Sequence, residues 1–282
     1  SAVVFANSVL GARCNRNSGI IELFGSIAGF VPEFGLLTDE GRQATRVIEV
    51  SCEHKPEAQV LGSAIGMKVM EDVPYIRGLD HWLGHELTAE VEDYLKDMGA
   101  ASASNGAVGL YHVEGLTPEA REKGRDLIAP DARVYRIDDA ELERVRASYP
   151  VMWKKPGACP KLAFIGCPHL SATQLEHWAG DICEGLAAAG HRRVQVPTVL
   201  TAAPAVAEAF RKTDAYARLA TTGAVVSSIC PLMYTNNPLC GGMPIVTNSN
   251  KLRTYSTARY CTDREVLECV TTGALAWKGG DR

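Results

Sequence analysis

Two cysteines, Cys167 and Cys230, carry the strongest chemical signal in this sequence. Each follows a short apolar run and is followed directly by proline, in Phe-Ile-Gly-Cys-Pro-His and in Ser-Ser-Ile-Cys-Pro-Leu. An apolar run that ends in a thiol is typical of a buried strand whose end carries the sulfur, where α/β enzymes place their chemistry. Proline stiffens that turn because it fixes φ. The two thiols are therefore predicted to bind one metal or iron–sulfur centre, with packed thiols as the alternative.

The surroundings of Cys167 add further candidates. A helix is expected to begin at Ser171, and its positive end should favour the thiolate form of Cys167. His169 is a candidate to donate to a substrate oxygen or a cluster sulfur, and a histidine that caps its own turn is an equal alternative. Three more cysteines lie in polar or glycine-rich segments and are candidate third ligands: Cys14, Cys240 and Cys261. The absence of any Cys-x-x-Cys pair argues against a zinc finger or ribbon.

A second pattern predicts two anion-binding turns. Asn7-Ser8 leads to Arg13, and Asn248-Ser249 leads to Lys251, each after an apparent strand. Asn and Ser at a strand-to-helix turn offer a capping oxygen and free backbone N–H groups, and the nearby cation completes the pocket. An arginine can bind a carboxylate with two parallel hydrogen bonds, whereas a lysine supplies a point charge. The alternative is two capped helices with surface cations.

The periodicity of apolar residues and the positions of the turn-forming residues predict an α/β protein with mainly parallel sheets. Residues 1–150 form one α/β domain, residues 151–161, rich in proline and lysine, form a linker, and residues 162–282 form a second α/β domain that carries both Cys167 and Cys230. Strands are predicted over 2–5, 47–50, 107–113, 162–165, 194–196, 224–229 and 244–246. Helices are predicted over 60–69, 88–99, 118–127, 139–149, 171–190, 204–211, 251–255 and 264–275. A capping box is expected at Ser171 and Gln174.

Composition narrows the class of protein. The chain has 282 residues and a formal charge of −4 without a dense basic cluster, which argues against nucleic acid as a partner. Its apolar stretches are too short to cross a bilayer, so no membrane association is expected. Nine cysteines without a secretory signal indicate reduced thiols and a cytoplasmic location. The sequence opens inside an apparent strand, so we expect a longer upstream region.

Four ordered motifs resemble the large catalytic portion of the aconitase X family. They are Ser-Ala-Val-Val-Phe-Ala-Asn-Ser-Val-Leu-Gly-Ala-Arg at 1–13, Gly-Cys-Pro-His at 166–169, Ile-Cys-Pro at 229–231 and Thr-Asn-Ser-Asn-Lys at 247–251. The resemblance implies three-layer α/β/α domains and an iron–sulfur hydro-lyase in which Cys167 and Cys230 are two of three cluster cysteines. It also implies that the third cysteine, and a small swivelling domain that provides the base, lie outside this chain. The predicted substrate-binding residues are Ser1, Asn7, Ser8, Arg13, Asn248, Ser249 and Lys251.

The family resemblance implies two possible substrates. Dehydration of cis-3-hydroxy-L-proline to pyrroline-2-carboxylate is favoured, because the unusual start suggests a fused polypeptide and residues 14–17 are polar. Dehydration of mevalonate 5-phosphate is the alternative. Two alternatives belong to other functional classes. One is a non-catalytic iron–sulfur or ligand-binding subunit, and the other is a zinc hydrolase.

Overall fold

The computed structural model describes residues 2–275 and divides the chain into two compact units, Ser1–Ala147 and Ser148–Arg282. The division falls just ahead of the predicted linker at 151–161, which the second unit includes. Part of the predicted second domain, residues 276–282, lies outside the described residues. No described helix has the length and apolar character needed to cross a membrane.

The first unit contains seven helices and four strands among its described residues, with short 3-10 turns at Gly35–Leu37, Glu40–Arg42 and Gly124–Leu127. In chain order the elements are α1 (Ala2–Ser8), α2 (Gly19–Ala28), β1 (Ala44–Val50), α3 (Ala58–Val69), β2 (Pro74–Arg77), α4 (Asp80–Leu83), α5 (Ala89–Gly106), β3 (His112–Val113), α6 (Pro118–Lys123), β4 (Ile128–Ile137) and α7 (Asp139–Ala147).

Its four strands form a parallel sheet in the order β3-β2-β1-β4. Helices α3 and α5 pack closely because glycines line their contact. A Cβ on Gly62 would lie 2.1 Å from the Met98 carbonyl oxygen, and one on Gly66 would lie 2.5 Å from the Ser102 carbonyl oxygen. Only glycine therefore permits this helix–helix distance.

Two predictions for this unit are wrong. Residues 2–5 belong to helix α1 rather than a strand, because Val4, Asn7 and Ser8 are buried at the i, i+3, i+4 spacing of a helix. The helix predicted to end at Gly99 continues to Gly106, since Gly99 gives room to the ring of Tyr111 instead of ending the helix. The strand predicted over 107–113 is correspondingly short, with only its last two residues in β3.

The second unit alternates strand and helix as predicted. Its described elements are β5 (Leu162–Leu170), α8 (Ala172–Ala188), β6 (Thr198–Ala202), α9 (Pro204–Phe210), α10 (Asp214–Thr221), β7 (Val225–Ser227), α11 (Pro231–Thr235), β8 (Ile245–Thr247), α12 (Asn250–Tyr255), β9 (Arg259–Tyr260) and α13 (Asp263–Thr272). The predicted capping box is confirmed, because the backbone N–H of Gln174 donates to Ser171 Oγ at 3.1 Å and the backbone N–H of Ser171 donates to Gln174 Oε1 at 3.2 Å.

Residues 194–196, predicted as a strand, pair with helix ends instead. The N–H groups of Val194 and Gln195 donate to the carbonyls of Thr222 and Val270, at 3.0 and 2.8 Å. The strand begins only at Thr198, after Pro197.

The sheet of the second unit is parallel, in the order β7-β6-β5-β8-β9, and helices cover both of its faces. On β5, Ala163 and Ile165 pack into a core shared with α8, α9, α10 and α13. Phe164 points to the opposite face and packs with Leu252 of α12, while Leu232 of α11 packs against the same cluster. This alternation is the period of a strand buried on both sides and gives three layers, α/β/α.

Candidate functional site

Cys167 lies at the point where the strand order of the second sheet reverses. The chain runs from β5 outward through β6 to β7 and then returns to the other side of β5 as β8. In open parallel sheets, ligands bind at the carboxyl ends of the strands that flank such a reversal. Cys167 is near the carboxyl end of β5, and Asn248 and Ser249 directly follow β8. The fold therefore brings two of the predicted motifs to one edge of the sheet.

Gly166 permits the irregular backbone that carries this thiol. Its φ is +99°, and the strand register shifts between Ile165 and Leu170. A Cβ at Gly166 would lie 2.7 Å from both the Leu170 Cγ and the Thr201 carbonyl oxygen. The Thr201 hydroxyl donates to the Gly166 carbonyl, which fixes the peptide preceding Cys167. Only glycine satisfies both the positive φ and this close contact.

The Cys167 side chain is buried, at 7% exposure, and packs with Phe164 and Leu252. Burial raises the pKa of its thiol above the usual value, against the lowering effects of a Ser249 hydrogen bond and the Lys251 charge. Burial thus opposes the thiolate-favouring effect expected from the following helix, and the thiolate form of Cys167 stays a prediction. A metal ion would have to displace the proton on binding.

Cys230 approaches Cys167 through the short helix that it precedes. It is exposed and occupies the position just before α11, whose Leu232 and Tyr234 pack against the cluster containing Cys167. The rings of Tyr234 and Phe164 lie 5.5 Å apart between centroids. Cys230 is near enough that its charge also raises the pKa of the Cys167 thiol. Two thiols separated widely in sequence thus share one environment, one inside the core and one at its surface.

Cys167 and Cys230 are the two candidate ligands that the structure brings into one environment within residues 2–275. Among residues 2–275, no group of three or more His, Cys, Asp or Glu side chains is placed to hold a metal ion. Of the candidate third ligands, Cys240 and Cys261 lie in the same unit and do not complete a set with the pair within that range, while Cys14 belongs to the first unit. A buried thiol and an exposed thiol, close enough for the charge of one to affect the pKa of the other, are compatible with two ligand positions of an iron–sulfur cluster.

The turn after β8 connects the cysteine strand to a cation. Ser249 is fully buried; its hydroxyl donates to the Cys167 carbonyl and accepts from the Leu252 N–H at 3.0 Å as the N-cap of α12. Lys251 lies in the first turn of α12, half-buried, with no ion-pair partner within the described part of the chain. Its charge reaches the Cys167 thiol. The Asn248 amide donates to Asp263 Oδ1 at 2.8 Å, and Asn248 Oδ1 is buried without a partner among the described residues.

In the first unit, the predicted residues Asn7 and Ser8 end helix α1, so the predicted strand-to-helix turn is not formed there. Both side chains form hydrogen bonds with backbone groups of the first unit. The Asn7 amide donates to the carbonyls of Cys14 and Gly109 at 2.8 and 3.0 Å, and the Tyr111 N–H donates to Ser8 Oγ at 2.9 Å. Their role in substrate binding stays a prediction, and the structure shows them stabilising the fold.

Arg13 is exposed and already paired. Its guanidinium donates to the Leu37 carbonyl at 3.0 Å and to Asp39, and Glu119 Oε1 lies 3.6 Å away. The hydrogen bonds from Arg13 and Lys123 lower the pKa of Asp39 below its usual value. A substrate carboxylate at Arg13 would have to compete with Asp39. The predicted contribution of Ser1 lies outside the described residues, and His169 is half-buried on β5, two residues beyond Cys167.

Sequence patterns gave no indication of the buried ion pair of Arg42 and Glu119. Arg42 Nε donates to both carboxylate oxygens of Glu119, at 3.0 and 2.8 Å, and its other nitrogens donate to the carbonyls of Leu36 and Asn7. His112 is a buried histidine beside this pair, with Nε2 2.9 Å from the Arg42 carbonyl oxygen. Burial lowers the pKa of His112, which keeps it neutral beside the guanidinium.

Comparison with known families accounts for almost the whole chain. Models of the aconitase X first, second and third domains match residues 1–40, 44–147 and 160–272. This chain belongs to the aconitase X family. The crystal structure of the holo-form of Thermococcus kodakaraensis aconitase X superposes with a TM-score of 0.77 at 31% identity, covering 95% of this chain and 66% of that one. The expected α/β/α fold with parallel sheets is thereby confirmed.

Two relatives represent the two activities named within the family. The phosphomevalonate dehydratase large subunit of Thermococcus kodakarensis is 35% identical over 261 residues, which cover 90% of this chain and 61% of the relative. The cis-3-hydroxy-L-proline dehydratase of Pseudomonas aeruginosa is 31% identical over 272 residues, which cover 91% of this chain and 43% of the relative. This aconitase X chain therefore spans 61% and 43% of the lengths of these two relatives, less than two thirds of either.

Proposed function

We propose that this aconitase X chain is the larger part of a hydro-lyase that dehydrates a small hydroxy acid at an iron–sulfur cluster. The observation that carries the proposal is the placement of the Cys167 and Cys230 thiols in one environment at the strand reversal of the second sheet. Membership of a family whose relatives are named dehydratases supports the reaction class. When bound, an iron–sulfur cluster supplies a Lewis-acidic iron that withdraws electrons from the departing hydroxyl.

The chain's own residues have distinct roles in this proposal. Cys167 and Cys230 would supply two of the thiolate ligands of the cluster. Lys251 binds the anionic end of the substrate, because it is a cation without an ion-pair partner within residues 2–275 and lies beside the Cys167 strand end. Ser249 positions the helix that carries that cation, since its hydroxyl donates to the Cys167 carbonyl and accepts from the Leu252 N–H. A base from a small partner domain or subunit removes the proton α to the carboxylate, with His169 as the candidate within this chain.

Mevalonate 5-phosphate is the first substrate to test. The Thermococcus relative named for it is 35% identical over 90% of this chain, against 31% for the Pseudomonas hydroxyproline relative at similar coverage. That ranking reverses the preference drawn from the sequence alone. A half-buried lysine suits a phosphate as a compact point charge. The second candidate, cis-3-hydroxy-L-proline, is supported by the match of the Pseudomonas enzyme to 91% of this chain.

The test uses the intact enzyme assembly, purified without oxygen. Iron, acid-labile sulfide and turnover of both substrates are measured for the native protein, for Cys230→Ser and for Cys159→Ser. Cys159 is the matched control because it is exposed like Cys230 and lies in the segment before β5. We expect Cys230→Ser to lose the cluster absorbance and turnover, and Cys159→Ser to keep both.

Three results would contradict parts of the proposal. An unchanged cluster spectrum in Cys230→Ser would remove that residue from the ligand set. Zinc in place of iron and sulfide would favour a hydrolase. Tight binding of a substrate without turnover, in the assembled and iron-loaded protein, would favour a non-catalytic subunit.

A further inference from the structure

Helix α2 exposes an apolar stripe that no part of the described chain covers. Ile20, Leu23, Phe24 and Ile27 follow the i, i+3, i+4, i+7 spacing of one helix face, and none of the ten residues of α2 is buried. Phe24 is 61% exposed and Ile27 is 75% exposed. The exposed apolar surface continues beyond the helix; its large side chains are Ile20, Ile21, Leu23, Phe24, Ile27, Phe30, Val31 and Phe34. We call this set the α2 patch.

The segment that carries the α2 patch is held in place by hydrogen bonds between its two ends. The Asn15 side chain donates to the Phe34 carbonyl at 2.9 Å and accepts from the Leu36 N–H at 2.7 Å, so the two ends of the excursion are tied together. The helix ends at Gly29, whose positive φ of 78° forms a left-handed cap. A capped and anchored helix that buries nothing of its own is a preformed binding element, because a patch of this size is rare on the free surface of a protein.

The composition around the helix favours a protein occupant over a membrane. Residues 17–34 contain no lysine or arginine, and their charged residues are Glu22 and Glu33. Helices that lie on anionic bilayers carry lysine and arginine on the polar face, since those side chains contact the headgroups. An acidic helix would be repelled there. An apolar stripe flanked by polar residues is instead the pattern of a helix that packs into a protein core.

Family matching indicates which protein. The whole α2 patch lies within residues 1–40, the segment that matches the aconitase X first domain, and the Thermococcus relative has a large part of its length not matched by this chain. Forty residues with one seven-residue helix and one ten-residue helix cannot enclose a core. We propose that the α2 patch is the docking surface for the remainder of an aconitase X first domain, which supplies the apolar partner that the described residues lack.

Photo-cross-linking in the intact enzyme assembly tests this directly. A benzoyl-phenylalanine replaces Phe24, and the cross-linked peptide is identified by mass spectrometry. Val134 on β4 is the control site, because it is an apolar side chain of the same unit with a similar exposure of 63%. We expect first-domain peptides at position 24 and none at position 134. A product with a second copy of this chain, with a small subunit or with lipid, or no product at all, would overturn the proposal.

A charge-matched pair provides an independent measurement. Ile27→Asp places a carboxylate in the apolar stripe, while Ser26→Asp places the same charge one residue away, about 100° around the helix and outside the stripe. In the intact assembly, hydrogen exchange of the α2 amides should become at least tenfold faster in Ile27→Asp and stay unchanged in Ser26→Asp. Equal exchange in both variants and in the native protein would show that the stripe contacts nothing. Both substitutions are at exposed positions, so the fold of the chain itself is preserved.

Discussion

Replacing Gly166 by alanine tests whether the cysteine-bearing strand end depends on its glycine. Gly166 has a φ of +99°, and an added Cβ would lie 2.7 Å from the Leu170 side chain and from the backbone oxygen of Thr201. The matched control is Gly190→Ala in the same unit. Gly190 also has a positive φ, of 74°, but an added Cβ there would meet nothing within 4 Å. The pair separates backbone strain from steric conflict.

The magnitudes follow from the two environments. A left-handed backbone costs an alanine about 1–2 kcal/mol, and reduced freedom of the unfolded chain returns about 0.4–1 kcal/mol. Gly190→Ala should therefore destabilise the protein by about 1 kcal/mol. Gly166→Ala adds the cost of an overpacked core, about 1–3 kcal/mol, because backbone at Thr201 cannot rotate away as a side chain can. The expected total is about 2–4 kcal/mol.

Urea unfolding measures both costs, followed by tryptophan emission because Trp153 and Trp178 are buried in the core of the second unit. Alkylation of Cys167 provides the second readout. Gly166→Ala should make this buried thiol react at least tenfold faster, since the peptide that positions it must move, whereas Gly190→Ala should leave the rate unchanged. Equal destabilisation by the two variants, or an unchanged rate of alkylation in Gly166→Ala, would refute the reasoning.

Three further substitutions, the first with a matched control, have defined outcomes. Ser249→Ala removes a helix cap and a buried partner of the Cys167 carbonyl, and should lower the free energy of unfolding by about 1–3 kcal/mol while exposing Cys167 to alkylation. The control is Thr262→Ala, which removes the cap of α13 and should lower the free energy of unfolding by about 1 kcal/mol without exposing Cys167. Burial raises the pKa of Glu119, but its arginine partner outweighs that effect and lowers the pKa below 4.5. The ion pair therefore stabilises the folded protein above about pH 4.5, and its contribution falls as the pH drops through the lowered pKa. Glu119→Gln should lower the free energy of unfolding in urea by about 3 kcal/mol at pH 7 and by less at pH 3.5. Gly180→Ala, within α8 and with space for a Cβ, should stabilise the second unit by about 0.5–1 kcal/mol in the same assay.

Strand–helix alternation made most of the second unit predictable. The apolar run at 162–165 and the capping box at Ser171 each define a boundary by local chemistry, and the structure has both. Helix α1 was not predictable in this way, because its seven residues form a short apolar run that suits either a strand or a helix. What decides is the position of Val4 and Asn7 against distant parts of the first unit, and no local pattern contains that information.

The candidate site divides along the same line. Local pattern predicts that Cys167 and Cys230 each follow a strand, but their proximity depends on the strand order β7-β6-β5-β8-β9 and on how α11 packs beneath β5. The ion pair of Arg42 and Glu119 joins residues 77 positions apart, and neither has a distinctive sequence context. Tertiary structure creates both features, so the sequence contains their components without showing that they meet.

Ser249 shows how the fold links the two halves of the candidate site. Its hydroxyl bonds at once to the strand end that carries Cys167 and to the first turn of the helix that carries Lys251. Because the hydroxyl is fully buried and its hydrogen bonds are made within the protein, a substrate cannot reach it. The backbone at Cys167 is therefore held beside the first turn of α12, which carries Lys251, before any ligand arrives. Under the proposed function this arrangement would favour one substrate length, because the leaving hydroxyl would have to reach the cluster while the anionic end reaches Lys251.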